Sequence, residues 1–343
     1  MAEAQSIGVE EFLELAETLP LFDVRTPSEF SNGHIPGARN LPLFSDDERA
    51  KVGTTYNRQG SQEAILTGLE LVGPKMRAMV ETVQAQTDQR RVLLHCWRGG
   101  MRSRSVAWLL NFSGFEVTVL AGGYKAYRQH VLSRFALRRQ VFILSGYTGS
   151  GKTEILGHLR ELGEQVIDLE GLAHHKGSAF GALGELPQPT QQQFENELAR
   201  QWEKLDPQRP VWLEDESKKI GWRIIPAPLW EQMRHTPVYF LDMPAELRVG
   251  RLMADYGDFA PEHLAACVSR LSKRVGGQNT QQALEALAAG DLATCTDILL
   301  RRYYDKAYLH GLSKRDQNLV RHIPTQTADA RENAQCLMVN AQW

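Results

Sequence analysis

The octapeptide GYTGSGKT at 146–153 constrains this 343-residue chain more than any other stretch. It matches G-x-x-x-x-G-K-[ST] in full, directly after the apolar run 141–145 and directly before the helical pattern EILGHLREL. A loop of this type wraps a diphosphate with successive backbone N–H groups, which requires a core strand that hands over to a helix N-terminus. Gly146, Gly149 and Gly151 let the backbone close around the phosphates, with Ser150 in the same loop. The Lys152 ammonium neutralises phosphate oxygens, and the Thr153 hydroxyl is the usual ligand of a Mg²⁺ ion. The motif specifies a diphosphate and leaves open which molecule carries it.

The surrounding pattern predicts an α/β unit. Strand-type runs at 141–145, 166–169, Val211–Glu214 and Val238–Asp242 read as the core of a mostly parallel, doubly wound sheet, followed by long helical stretches over Ala245–Tyr256 and 261–310. Glu214, Asp215 and Glu216 end the third run, and Asp168 and Glu170 end the second, so all five are expected to point toward the phosphate loop. Asp215 is the candidate partner of Thr153 for Mg²⁺; no tightly bound cofactor is expected. The polar segment HHKGSAFG at 174–181 reads either as a substrate or phosphate loop using His174, Lys176 and Ser178, or as ordinary surface. Residues after Pro324 give no clear pattern.

A separate α/β pattern occupies the first half, with strands at 21–25, 92–96 and 117–121 and helices near 9–19, 61–84 and 102–112. The boundaries read as a first domain over 1–130, a basic connecting helix over 131–139 within the run 124–139, and a second domain with a helical extension over 140–343. In HCWRGGMRS, Cys96 ends an apolar strand, a Gly-containing loop follows, and a helix begins at about Ser103. Inward-turned N–H groups, a helix N-terminus, and the charges of Arg98 and Arg102 all favour thiolate over thiol. The spacing His95-Cys96-x5-Arg102-Ser103 suits a cysteine phosphatase as well as a carrier of sulfur or selenium.

Composition narrows the setting. No apolar run approaches the roughly 20 residues that cross a bilayer, and the first residues are acidic and amphipathic where a signal peptide is basic then apolar, so no membrane association and a cytoplasmic location are expected. Four cysteines without a CxxC pair argue against a disulfide framework or a structural zinc site. The net charge of −2 carries no global nucleic-acid signature. Any RNA contact must be local, at Arg270, Lys273 and Arg274 or in the basic stretch that opens with Arg301 and Arg302. Solvated helix faces are the competing reading.

The first half resembles the rhodanese family. FDVRTPSEFSNGHIPGARNLPL at 22–43 has the family's DVR strand and E-F-x-x-G-H-I-P-G-A segment, and LAGGYKAY at 120–127 its L-x-G-G-Y/W helix start. That resemblance implies a persulfide or perselenide on Cys96, held by the anion cradle. Arg248 and Arg251 in MPAELRVGRL resemble arginines of small-molecule kinases that reach over a transferring phosphate, and are equally compatible with a plain helix surface. With HCWRGGMRS, GYTGSGKT, DLEGLAHHKGSAFG and EDESKKIG in this order, the whole chain resembles the tRNA 2-selenouridine synthase family. The resemblance implies a rhodanese-like domain joined to a P-loop NTPase-like domain. It also implies tRNA as the partner, with selenophosphate and geranyl diphosphate as co-substrates and a selenophosphate-supplying enzyme upstream. The implied activity is conversion of wobble 2-thiouridine to 2-selenouridine through an S-geranyl intermediate. Competing readings are an ATP-dependent tRNA thiolation or kinase-like enzyme, a Cys-loop phosphatase, and a non-catalytic sulfur relay or RNA-binding adaptor.

Overall fold

The structure is a computed structural model that describes residues 4–341. The chain forms two compact units: one runs to Arg134 and takes in Thr190–Arg200, and the other comprises Phe135–Pro189 and everything from Gln201 onward.

In the first unit, strands β1 (Gln5–Ile7), β2 (Leu21–Asp23), β3 (Arg39–Asn40), β4 (Arg91–His95) and β5 (Glu116–Leu120) make a parallel sheet in the order β1-β5-β4-β2-β3. The central strand β4 is buried on both faces from Val92 onward, which is why it reads as a continuous apolar run. Helices Asp46–Gln59, Ser61–Val72, Met76–Gln86 and Met101–Phe112 cover it, and Phe22, Leu94, Val106, Leu110 and Val119 sit in the core between the layers. The expected helix 61–84 is therefore two helices, parted at the turn Gly73–Lys75, where Pro74 withholds a backbone donor.

The second unit holds β6 (Val141–Gly146), β7 (Gln165–Val166), β8 (Val211–Glu214), the antiparallel pair β9 (Lys219–Ile220) and β10 (Arg223–Ile224), β11 (Val238–Asp242) and β12 (Val320–Pro324). Its five-stranded parallel sheet runs β12-β11-β6-β8-β7, with the phosphate-loop strand β6 at the centre. Two α/β units with parallel sheets are the fold class expected from the sequence.

Local differences have local causes. The strand expected over 166–169 stops at Val166, because Asp168 turns the chain and caps helix Leu169–Ala173, its Oδ1 accepting from Gly171 N at 2.6 Å. That strand is also at the sheet edge, with β8 between it and β6. The single stretch 261–310 is broken into Pro261–Arg270, Ser272–Val275, Gly277–Ala288, Leu292–Leu299, a π-helical turn Leu300–Tyr304 and Asp305–Leu312. The expected connecting helix is Gly123–Arg134, ending before 135–139. Edge strand β12 is not expected from the sequence, and helix Ala330–Asn340 lies in the region after Pro324 whose sequence shows no clear pattern. Among the described residues no helix is long and apolar enough to cross a membrane.

Candidate functional sites

In the first unit the Cys96 loop sits at the carboxyl edge of the sheet, where strand order diverges on either side of β4. Cys96 is buried, and its Sγ lies 3.2 Å from Ser103 Oγ at the start of helix Met101–Phe112. The loop is locked from behind by Gly123, whose φ is +59°; a Cβ there would fall on Cys96 O and lie 2.5 Å from Gly99 N. The same backbone closes the loop, with Tyr124 N donating to Cys96 O at 2.8 Å and Lys125 N to Trp97 O at 3.0 Å.

A depression of about 790 Å³ opens over Cys96, lined by Trp97, Arg98, Met101, Arg102 and Glu29. Arg98 is exposed on its rim. Arg102 is bound in a fork to Glu29, Nη1 to Oε2 at 2.6 Å and Nη2 to Oε1 at 3.2 Å. Burial pushes the Glu29 carboxyl up, but Arg102's hydrogen bonds and charge outweigh it and hold that carboxyl below its ordinary range. The Arg102 guanidinium is thus already neutralised in part, and Arg98 is the freer cation of the expected cradle. Sequence reasoning misses Glu29 as a site residue, although it is the acid of the E-F-x-x-G segment. Behind the loop, buried Arg25 pairs with Asp23 and lies 3.8 Å from the Tyr124 ring centre, while burial pushes the His95 imidazole down toward its neutral form.

In the second unit the phosphate loop carries Lys152 toward its own carbonyls, Nζ donating to Gly146 O at 3.1 Å, with the Tyr308 ring 5.1 Å away. Ser150 Oγ is buried and lacks a hydrogen-bond partner among the described residues. Thr153 Oγ1 donates to Glu170 Oε2 at 3.2 Å. Glu170 and Glu216 converge beside Gly177, where a Cβ would meet their carboxylate oxygens at 2.6 to 2.8 Å. Burial first, and then mutual repulsion, pushes the Glu216 carboxyl well above its ordinary range; burial does the same to buried Glu214, with Asp168 and Glu170 adding to it. Burial also raises Glu170, against the pull of Lys152.

Not all expected residues join this group. Asp215 lines the cavity above the phosphate loop, but one of its carboxylate oxygens is paired with Arg315 and the other accepts from Ser145 Oγ at 2.7 Å, so neither faces Thr153 directly. Arg248 is buried and held in a fork by Asp305 at 2.8 and 2.9 Å, with Nη1 on Thr148 O at 3.3 Å; it props the loop and does not reach over a phosphate. Arg251 pairs with Glu154 at 2.7 Å. His174 Nδ1 lies 3.0 Å from Pro187 O, Lys176 faces Glu185 at 3.5 Å, and Ser178 lines the cavity with Lys176. Among the expected RNA residues, Arg301 is neutralised by Asp297 and Glu246, Arg270 lies against Cys267 Sγ, Arg274 donates to Tyr303 Oη, and Lys273 and Arg302 are exposed.

The cavity above the phosphate loop measures about 620 Å³ and is rimmed by the further cations Lys218, Arg234 and Lys314, of which only Lys218 lies in one of the motifs. A second, apolar crevice shares Thr148, Ser178, Leu252, Tyr256 and Tyr304 with it and continues between Leu264, Val268, Leu292 and Leu299. These last residues come from helices that the sequence pattern merges into one, so the crevice has no sequence signature.

A family model described as a rhodanese-like domain matches residues 8–130, and one described as the tRNA 2-selenouridine synthase AAA domain matches residues 139–335. A tRNA 2-selenouridine synthase of Nitrosomonas europaea is 34% identical, the alignment covering 91% of this chain and 94% of the relative. One of Bdellovibrio bacteriovorus is 37% identical, covering 87% and 90%, and one of Shewanella denitrificans 36%, covering 92% and 95%. With both halves matched in order and near-complete coverage on each side, the chain belongs to the tRNA 2-selenouridine synthase family.

Proposed function

We propose that this protein is a transferase that exchanges the 2-thio sulfur of a tRNA uridine for selenium in two steps, one at each site. In the first, the thiocarbonyl sulfur attacks C1 of geranyl diphosphate; the S–C1 bond forms, the C1–O bond breaks, and diphosphate leaves. In the second, the selenium of selenophosphate attacks C2 of the base; the C2–Se bond forms, the C2–S bond breaks so that the S-geranyl group departs as a thiol, and water then cleaves the Se–P bond to release phosphate. Alkylation is needed because a thiocarbonyl sulfur is a poor leaving group.

The observation that carries the reading is the apolar crevice that opens from the phosphate-loop cavity. A nucleotide needs a polar pocket for its sugar and base, whereas Leu252, Tyr256, Leu264 and Val268 suit a hydrocarbon attached to a diphosphate. The crevice is only about 50 Å³, so a ten-carbon chain requires side-chain movement at Leu252 and Tyr256. Lys152, the loop amides and the Ser150 hydroxyl, which has no hydrogen-bond partner among the described residues, are suited to the charge that grows on the departing diphosphate. Thr153 and Glu170 are the residues that would hold a Mg²⁺ ion, which would supply positive charge near the leaving group.

For the second step, Cys96 would assist the transfer from the floor of its depression, with Arg98, exposed on the rim, available to the phosphate of selenophosphate. A further apolar groove of about 500 Å³ adjoins this site, sharing Tyr56, Met101 and Arg102 with the Cys96 depression, and would take the geranyl group as it leaves.

The test is to incubate the protein with 2-thiouridine tRNA and with geranyl diphosphate and selenophosphate, singly and together, and to weigh the nucleosides. Geranyl diphosphate alone should give the S-geranyl nucleoside, and both together the seleno-nucleoside; Cys96→Ser should retain the first product and lose the second. A requirement for ATP, or no geranylated product, would overturn the reading.

A further inference from the structure

The segment that follows the acidic end of β8 has a feature that neither the phosphate chemistry nor the core explains. β9 and β10 form a short antiparallel hairpin whose turn is Gly221-Trp222. Trp222 is 74% exposed, more than any other large hydrophobic side chain among the described residues. An exposed indole on a loose turn would carry little meaning, but this turn is pinned. Ile220 and Ile225 are buried on either side, and Ile225 N donates to Lys218 O at 2.9 Å. Trp222 N donates to Gln188 Oε1 at 2.7 Å, and the Gln188 amide donates in turn to Ala173 O at 2.8 Å and Ile220 O at 3.2 Å. Gly221 has φ +56° and packs so closely on His175 that a Cβ would meet its ring at 2.7 Å. The backbone is thus held in one conformation while the ring is left in water.

The surroundings are cationic. Lys219 Nζ stands 4.7 Å from the Trp222 ring centre, and half-buried Arg223 follows Trp222 in the chain. Asp215, just before the hairpin, offers little opposing charge, since it is paired with Arg315. An exposed aromatic plate on a pinned backbone, with a lysine beside it and an arginine next in the chain, matches the chemistry of an unpaired nucleotide, whose base stacks while its phosphates meet the cations. Ser217 and Lys218 at the foot of the hairpin line the phosphate-loop cavity, and four residues of strand reach no more than about 13 Å, so Trp222 stands a few nucleotides from that cavity at most.

We propose that Trp222 is a stacking platform for an unpaired base of the substrate RNA next to the uridine being modified, with Lys219 and Arg223 holding the adjoining phosphates. This rests on the reading of tRNA as substrate. It goes beyond it by naming the surface that receives the RNA, a surface distinct from the basic helix faces singled out in the sequence.

The experiment measures binding of a 2-thiouridine tRNA by the full-length protein, for the wild type, Trp222→Ala, Trp222→Phe and Lys219→Glu, with thermal melts as a control on folding. Trp222→Ala should weaken binding about fivefold or more at unchanged melting temperature, and Trp222→Phe should restore most of it, because any flat ring stacks. Lys219→Glu should lower the slope of log affinity against log salt by roughly 0.7 for each single-strand phosphate that the side chain no longer neutralises. Wild-type affinity in Trp222→Ala, or a loss that Phe does not rescue, would overturn the platform. Absence of tRNA binding by the wild type would instead overturn the tRNA reading and this inference with it.

Discussion

Glu214 shows how one residue can be shaped by a site at the expense of stability. It ends β8 fully buried, Oε2 accepts from Leu169 N at 2.9 Å, and Oε1 has no hydrogen-bond partner among the described residues. Its carboxyl is pushed well above the ordinary range by burial and by Asp168 and Glu170. An acid with a raised folded-state value costs nothing below its unfolded value of about 4.3, where both states are protonated. As pH rises from the unfolded value toward the raised folded value, the unfolded chain releases a proton that the folded chain retains, and stability is lost until the folded value is passed. Glu214→Gln removes that loss while keeping the shape, so the variant should be more stable than the wild type at pH 8, with the gap narrowing toward pH 5. Urea melts at the two pH values check this. A variant equally destabilised at both would mean that Glu214 is needed as an ionised carboxylate.

At the scale of elements, each site is a strand, a loop and a helix N-terminus, and that unit is what a sequence displays best. Val92 to Cys96 and β6 are continuous apolar runs because parallel strands are covered on both faces, and the glycines after them mark the loops. Gly123 belongs to the first of these units from a distance. Its φ of +59° and its contact with Cys96 O leave no room for a side chain, so Gly123→Ala should cost about 2 kcal/mol or more and deform the Cys96 loop. The measurement is a thermal melt alongside both activities: selenation should fall far more than geranylation, and unchanged stability would show that the loop yields. What the sequence hid is what depends on long-range partners. Glu29 lies 73 residues before Arg102, Arg315 lies 100 residues after Asp215, and each redirects a charge that spacing alone had assigned to a ligand. Edge strand β12 offers only Val320 and Ile323 as apolar strand formers, too few for a periodicity, and helix Gln191–Glu203 gave no local reason to expect that its first turns pack with the N-terminal unit. There Asn196 donates to His34 O at 2.8 Å and to Tyr124 Oη at 3.0 Å.

For the whole molecule, leaving-group stabilisation belongs to one unit and selenium transfer to the other under the proposed function. The chemistry supports the division, because diphosphate charge develops only while the C1–O bond breaks, and nothing in the second step places a diphosphate in the loop at 146–153. Removing one preorganised charge of this kind typically costs about a hundredfold or more in rate. The most direct measurement is therefore made on Lys152→Ala, supplied first with 2-thiouridine tRNA and geranyl diphosphate, and then with ready-made S-geranyl tRNA and selenophosphate. Geranylation should fall by about a hundredfold or more while selenation of the ready-made intermediate stays within a few-fold of the wild type. If the variant binds the S-geranyl tRNA normally and yet fails to selenate it, the phosphate loop serves both steps and the two-site division is wrong.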